Sequence, residues 1–351
     1  MFPQSTQRKY WIFSNDQDVA RMRQQANKRY VEAHGSDPVK SKSFLALTEE
    51  RLLCRHYEYI LRDFCKKFQP PMPSYVAATS FQYFKRFYLH NSVMDYHPKQ
   101  LVATCVYLAC KVEEFNLSIT QFVANIKGDV EKAMDIILNN ELMLMEQLHF
   151  HLTVHNPHRP IEGFLIDIKT RCASQIDDPE KLRPHIEDFL DRLMLTDAVL
   201  LYSPSQLRRA GFTSNRGIDA LISCKIALAT ILYAADALQE NLETYFNEML
   251  LPGCRGDKAA LVKESIIYVI TSQMTMIITK ILSSYADMRT LVKSISDPPI
   301  REQIKMIEKK LEKSRNQENN PESKIFKDKM LRALNEDIHD IGQVPSTTPV
   351  C

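Results

Sequence analysis

Four histidines crowd one short stretch of this chain: His149, His151, His155 and His158. His151 and His155 stand four apart, the spacing at which two imidazoles on one helical face can share a zinc ion. The Leu152-Thr153-Val154 run and the following Asn156-Pro157 end a helix rather than continue it, and that breaks the geometry. No HExxH and no CxxC accompanies them. The stretch therefore reads as helix-terminal histidines near the negative end of a helix dipole, with no metal. Asp177-Asp178 stands directly before Pro179, a turn-and-cap composition rather than a catalytic pair. With only 8 glycines in 351 residues there is no GxGxxG and no GxxxxGK[ST], so nucleotide and dinucleotide cofactors have no signature. Nothing convergent supports catalysis, and the chain reads as a non-enzyme without a cofactor.

Two charged residues are better placed to meet a partner. Lys111 closes a strongly apolar run, LVATCVYLACK, and Glu141 lies midway along a later helical segment with Met145 one turn on. Taken alone, each also fits a plain role, as a last-turn cation and as a solvated face residue.

The elements that would position them are helices throughout. Apolar residues recur at three and four, as in Leu53, Tyr57, Ile60, Phe64 and Phe68. Thr48 with Glu49 and Glu50 is expected to open that helix, Lys66-Lys67 to complement its last turn and Pro70-Pro71 to stop it. A second helix is expected from Ser74 to Asn91. A third begins at Pro98, a residue suited to a first helical turn, and is apolar nearly all round, the mark of a buried central helix. Helices at 120–126 and 130–148 complete a five-helix unit. The punctuation then partly repeats: 160–169, 182–201, the Ala-rich 226–238, 243–250 and 259–292. Outside these lie a helix to about Tyr30, opened by a Ser14-Asn15-Asp16-Gln17 capping box with Trp11, Ile12 and Phe13 before it, and a helix after Asp297-Pro298 with Ile300, Ile304, Ile307 and Leu311 on one stripe. Residues 314–324 read as a linker before a short amphipathic piece and a mixed-charge tail.

Lys and Arg number 45 against 43 Asp and Glu, a net +2. That balance argues against a strongly basic nucleic-acid binder, which needs a cationic face to neutralise phosphates. Eight cysteines form no framework, and Cys105 and Cys110 lie in an apolar run, as buried thiols of a reducing compartment do. MFPQSTQRKYW has no apolar leader core, and the apolar-leaning uncharged run 265–279 is short of the ~20 residues a bilayer demands. The expectation is a soluble intracellular protein without a membrane partner.

KRFYLHNSVMDYHPKQLVATCVYLACKVEEFN and MEQLHFHLTVHNPHRPIEGFLIDIKTR resemble the cyclin box, most closely that of the cyclin in the CDK-activating kinase. The resemblance is dense over 1–205 and thinner over 226–312. It implies an all-α fold of two tandem five-helix cyclin boxes with flanking N- and C-terminal helices. The domains would be 1–47, an N-terminal helix and linker; 48–155, the first box; 156–295, the second; and 296–351, a C-terminal helix and tail. It also implies a nuclear regulatory subunit that activates a cyclin-dependent kinase, partnered by a RING-finger assembly factor and the core of transcription factor IIH, with no direct nucleic-acid contact. The family's kinase-binding positions fall on Lys111, Glu141, Met145, Phe150 and Leu152. Alternatives are another transcriptional cyclin of the cyclin C type, or a DNA-binding general transcription factor with tandem cyclin folds. Two departures stand out. TEERLLCRHY replaces the substrate-docking patch of cell-cycle cyclins. The segments 207–225 and 267–280 interrupt the family pattern, as surface loops or as retained introns.

Overall fold

In a computed structural model of the chain, the structure describes residues 4–35, 43–171, 178–203, 225–240, 242, 245, 283–293 and 298–341. Among these residues every regular element is helical. The interruptions at 207–224 and 267–280, the 243–250 helix but for Tyr245, most of 259–292 and Asp177 lie outside the described residues.

Short helix α1 (Thr6–Tyr10) and long helix α2 (Asp16–His34) precede the first repeat. Asn15 caps α2, its side chain accepting from the Asp18 amide at 2.8 Å, which satisfies one of the amides a helix start leaves unbonded. The repeat itself is α3 (Leu47–Lys67), α4 (Ser74–His90), α5 (Pro98–Val112), α6 (Ile119–Val123) and α7 (Val130–Gln147). Helix α3 starts at Leu47, not behind Thr48, because Glu49 reaches back to accept the Ala46 amide at 2.7 Å. On its apolar stripe Leu61 takes the core position and Ile60 is exposed. Leu53, Tyr57, Leu61 and Cys65, each four residues on, form the buried line.

Central helix α5 is buried nearly all round and packs against α3, α4 and α7, as its small and apolar side chains dictate. Helix α4 is the less expected case. It buries Gln82, Lys85 and Arg86 along with its aromatics because α2, α3 and α5 all pack on it. No amphipathic pattern announces a helix enclosed on every side.

In the second repeat, α8 (His158–Arg171), a 3-10 turn (Pro179–Leu182), α9 (Arg183–Met194), α10 (Ala198–Leu201) and α11 (Lys225–Leu238) are described. Asp178 caps the turn, accepting the Glu180 amide at 3.0 Å. The single helix expected over 182–201 breaks between α9 and α10. There the Thr196 hydroxyl donates to the Leu193 carbonyl at 2.7 Å and accepts from the Ala198 amide at 3.1 Å. These local side-chain bonds replace helical ones and free Asp197 to face the N-terminal helix.

Helix α12 (Arg301–Ser314) buries Ile304, Ile307 and Leu311 while Ile300 stays exposed. It lies on α3, where Tyr57 donates to Glu308 at 2.8 Å and Lys310 pairs with Glu49 at 2.6 Å. The stretch after it is no free linker: Asn316 and Asn319 both donate to Asp95 Oδ1 at 2.7 Å. Helix α13 (Lys324–Ile341) follows. Among the described residues no helix is long and apolar enough to cross a membrane.

Candidate functional site

Helix α5 delivers Lys111 in its last turn, the first exposed residue after a fully packed run. Its stem lies over the Tyr107 ring, with Nζ 4.8 Å from the ring centroid. Helix α7 packs beside α5 and brings Glu141 to meet Lys111. Nζ reaches one carboxylate oxygen at 2.7 Å and the other at 2.8 Å. Two residues 30 apart in sequence thus become one ion pair. The Lys111 side chain is 46% exposed and that of Glu141 14%.

The helix that carries Glu141 also leaves apolar side chains in solvent. Helix α7 buries Ile137 and Leu144, yet Leu138 and Leu142 remain 45% and 58% exposed. Leu138, Glu141, Leu142 and Met145 fall at helical spacings of three and four, so they share one face. Met145 is half-buried against the core, as is Leu152, while Phe150 is 60% exposed. The chain leaves α7 through two left-handed residues, His149 (φ 53°) and Phe150 (φ 55°). That conformation costs roughly 1–2 kcal/mol for a residue with a Cβ. The Phe150 amide donates to the Met145 carbonyl at 2.9 Å and the Tyr83 hydroxyl to the Leu152 carbonyl at 2.5 Å. The turn is held from both ends with Phe150 projecting outward.

Lys111 and Glu141 are thus paired directly, Met145 lies one turn on along α7, and Phe150 and Leu152 follow in the turn that leaves it. Sequence reasoning missed Leu138 and Leu142. The available signal was a second apolar row on α7, beside the one that ends at Leu144 and Leu148.

The histidines serve packing. Trp11, 1% exposed, is enclosed by His90, His149 and His151, with the Arg86 guanidinium 5.2 Å from its ring centroid. The Gln7 side chain accepts the His155 amide at 2.7 Å. Burial lowers the pKa of His158 to about 4, so it is neutral. Among the described residues no group of three or more His, Cys, Asp or Glu is arranged to hold a metal ion.

On the far side of α3 and α4 lies a buried charge network. Arg23 on α2 donates to both oxygens of Asp197 at 2.7 and 2.8 Å. Lys85 on α4 pairs with Glu58 on α3 at 2.7 Å and lies 3.9 Å from Asp197. Burial by itself would push the Asp197 carboxyl up. The hydrogen bonds and charge of Arg23, with Lys85 and Arg51, outweigh it and hold the group well below the usual carboxylate range. The network joins the N-terminal helix and both repeats.

Residues 38–153 match the cyclin N-terminal domain and residues 156–215 the cyclin C-terminal domain. A cyclin-H from Xenopus laevis is 44% identical over 256 residues, spanning 71% of this chain and 73% of its own length. The chain belongs to the cyclin H family. A second family member, cyclin-H1-1 of Arabidopsis thaliana, is 34% identical over 63% of this chain and 72% of its own length. Among solved structures, a chain of the CAK complex of Chaetomium thermophilum bound to ATP-gamma-S superimposes with a TM-score of 0.69 at 22% identity, covering 99% of this chain and 98% of that one. That likeness is one of fold, and it matches the cyclin architecture of helices α3–α12.

Proposed function

We propose that this cyclin is the regulatory subunit of a CDK-activating kinase, and that the face carrying Lys111, Glu141, Leu138, Leu142, Met145, Phe150 and Leu152 receives the kinase. The observation that carries the reading is the exposure of Leu138, Leu142 and Phe150 on, and just after, the helix whose Glu141 pairs with Lys111. Exposed apolar side chains grouped in this way mark interaction surfaces. The kinase would phosphorylate the activation segments of other cyclin-dependent kinases and the C-terminal repeats of RNA polymerase II. The assembly would include a RING-finger factor and the core of transcription factor IIH, in the nucleus.

A kinase needs its β3 Lys paired with a Glu on its αC helix before ATP is positioned. A cyclin that binds only that arrangement shifts the population toward it, and moving from 1:99 to 99:1 takes about 5.5 kcal/mol of differential affinity. Leu138, Leu142 and Phe150 are each about half exposed. Completing the burial of each supplies roughly 1 kcal/mol or somewhat more, whereas a solvent-exposed ion pair is worth about 0–1 kcal/mol. The apolar rim therefore supplies most of the driving force, and Lys111 with Glu141 sets register by charge-assisted hydrogen bonds to the kinase. No bond chemistry falls to the cyclin.

The test is co-expression with the kinase. Lys111→Ala or Glu141→Ala should lower kinase activation several-fold, and Leu142→Asp with Phe150→Ala should abolish stable binding. The free cyclin should keep its melting temperature with Lys111→Ala and with Leu142→Asp/Phe150→Ala, whose altered groups face solvent, and Glu141→Ala, largely enclosed, should lower it only slightly. Full kinase activation by the Leu142→Asp/Phe150→Ala variant would reject this surface.

A further inference from the structure

The N-terminal segment is fastened to the turn that presents Phe150. The Trp11 indole Nε1–H donates to His151 Nδ1 at 3.1 Å. An indole N–H can only donate, so His151 Nδ1 must hold its lone pair, which assigns the ring proton of the neutral imidazole to Nε2. The Tyr10 ring stacks on His151 with centroids 4.9 Å apart. Gln7 bonds the His155 backbone in both directions, and the Phe13 amide donates to the Leu200 carbonyl at 2.8 Å. The segment thus spans from the end of the first repeat to α10 of the second.

We propose that Trp11 and His151 form an acid-released latch: protonation of His151 turns its Nδ1 into a donor facing the Trp11 donor, and the 5–13 segment leaves the His149–Leu152 turn. The groups around His151 leave the added charge unsupported. From α1 come Tyr10 and Trp11, with Lys9 over the far ring of Tyr10. Helix α4 contributes Arg86, whose Nη1 donates to the His151 carbonyl at 3.4 Å, and His90, whose own carbonyl is taken by Arg29. The turn itself adds His149, 6.1 Å away between ring centroids. Every charged or titratable neighbour among these is a cation, a histidine or a tyrosine. Burial, with His149 and Arg86 beside it, holds the His151 pKa below its ordinary 6.5. The latch is therefore closed at neutral pH and opens as pH falls below that value. Opening matters at the turn because two left-handed residues persist only while their surroundings hold them. Its consequence for the kinase rests on the reading of Phe150 given above.

Trp11 is the single tryptophan of the chain, so its fluorescence reports the surroundings of this one ring, and the His151 variant isolates the contribution of the latch. On titrating the free full-length chain from pH 8 to 5, Trp11 emission should shift to the red with a one-proton midpoint below pH 6.5, while far-UV circular dichroism stays constant. In His151→Asn, whose Oδ1 can stand near the place of Nδ1 and does not titrate, that transition should disappear. A second measurement needs no variant: the indole N–H of Trp11 should be protected from solvent exchange at pH 7.5 and lose protection with the same midpoint. A red shift that persists in His151→Asn, or an indole N–H equally protected at pH 5, would overturn the latch. No kinase is present in either experiment, so their failure leaves the kinase-binding surface standing, and the failure of that surface leaves the latch standing.

Discussion

Replacing Asp197 with Asn will destabilise the protein by about 3–5 kcal/mol, the cost of removing one member of a buried ion pair. The substitution keeps size and shape, removes the charge and turns one acceptor oxygen into an NH2 donor. Arg23, whose side chain is 14% exposed, keeps one of its two acceptors, meets a donor in place of the other and loses its counter-charge, and Lys85, 1% exposed, keeps Glu58 alone. Two cations then stand largely desolvated against one carboxylate. Chemical denaturation should register the loss as a lower midpoint with an unchanged slope. Adding Arg23→Met should recover part of it, because the orphaned cation is then gone. A loss below about 1 kcal/mol, the range of exposed pairs, would show that water screens the network and that the clamp between the repeats lies elsewhere. The pH dependence has a definite sign. The folded-state pKa of Asp197 is depressed, so its stabilisation is complete above the ordinary carboxylate value and is lost as pH falls through the acid range.

Glu50 should act in the opposite sense. Its carboxyl is 6% exposed, and burial raises its pKa from the ordinary 4.5 to about 7 despite hydrogen bonds from Ser92, Asn27 and the Val93 amide. The folded protein therefore holds this proton to a higher pH than the unfolded chain does. Stability from this group is full below about pH 4.5, declines as pH rises toward 7 and levels off above it, a total of roughly 3 kcal/mol by linkage. Glu50→Gln keeps an acceptor for the Ser92 hydroxyl and cannot ionise. Its melting temperature should exceed that of the parent at pH 8, and the two should converge near pH 4.5. A difference that does not change between those pH values would mean that Glu50 ionises freely in the fold. Titrations elsewhere are common to both proteins and cancel in the comparison.

Much of the scaffold was legible because helices record themselves locally. Pro98 at the start of α5 and the all-round apolar character of the central helix each follow from a few adjacent residues, as does the break after Lys67, while the capping box read at Ser14–Gln17 shifts by one, the cap falling on Asn15. The exceptions are equally physical. Thr48 had the composition of a cap, but Glu49 bonding back to Ala46 moved the start of α3. The helix expected through 182–201 was interrupted by Thr196, whose hydroxyl competes with the backbone. Residues 314–324 had a linker composition, yet two asparagines dock on Asp95, more than two hundred residues earlier.

The candidate site divides in the same way. Lys111, Glu141, Met145, Phe150 and Leu152 could be named from a family resemblance, but not the pairing of Lys111 with Glu141, nor the exposure of Leu138 and Leu142. The buried network of Arg23, Glu58, Lys85 and Asp197 left no trace in the pattern, since each residue alone reads as a solvated charge on a helix.

By itself, then, the amino-acid sequence determined the helices and the order of the two repeats, both of which depend on neighbours within a turn or two. Only the tertiary structure decided which charges are paired, which apolar residues are left in solvent and where the N-terminal segment lies. Those are outcomes of packing between distant segments, where burial sets the strength of every charge and hydrogen bond.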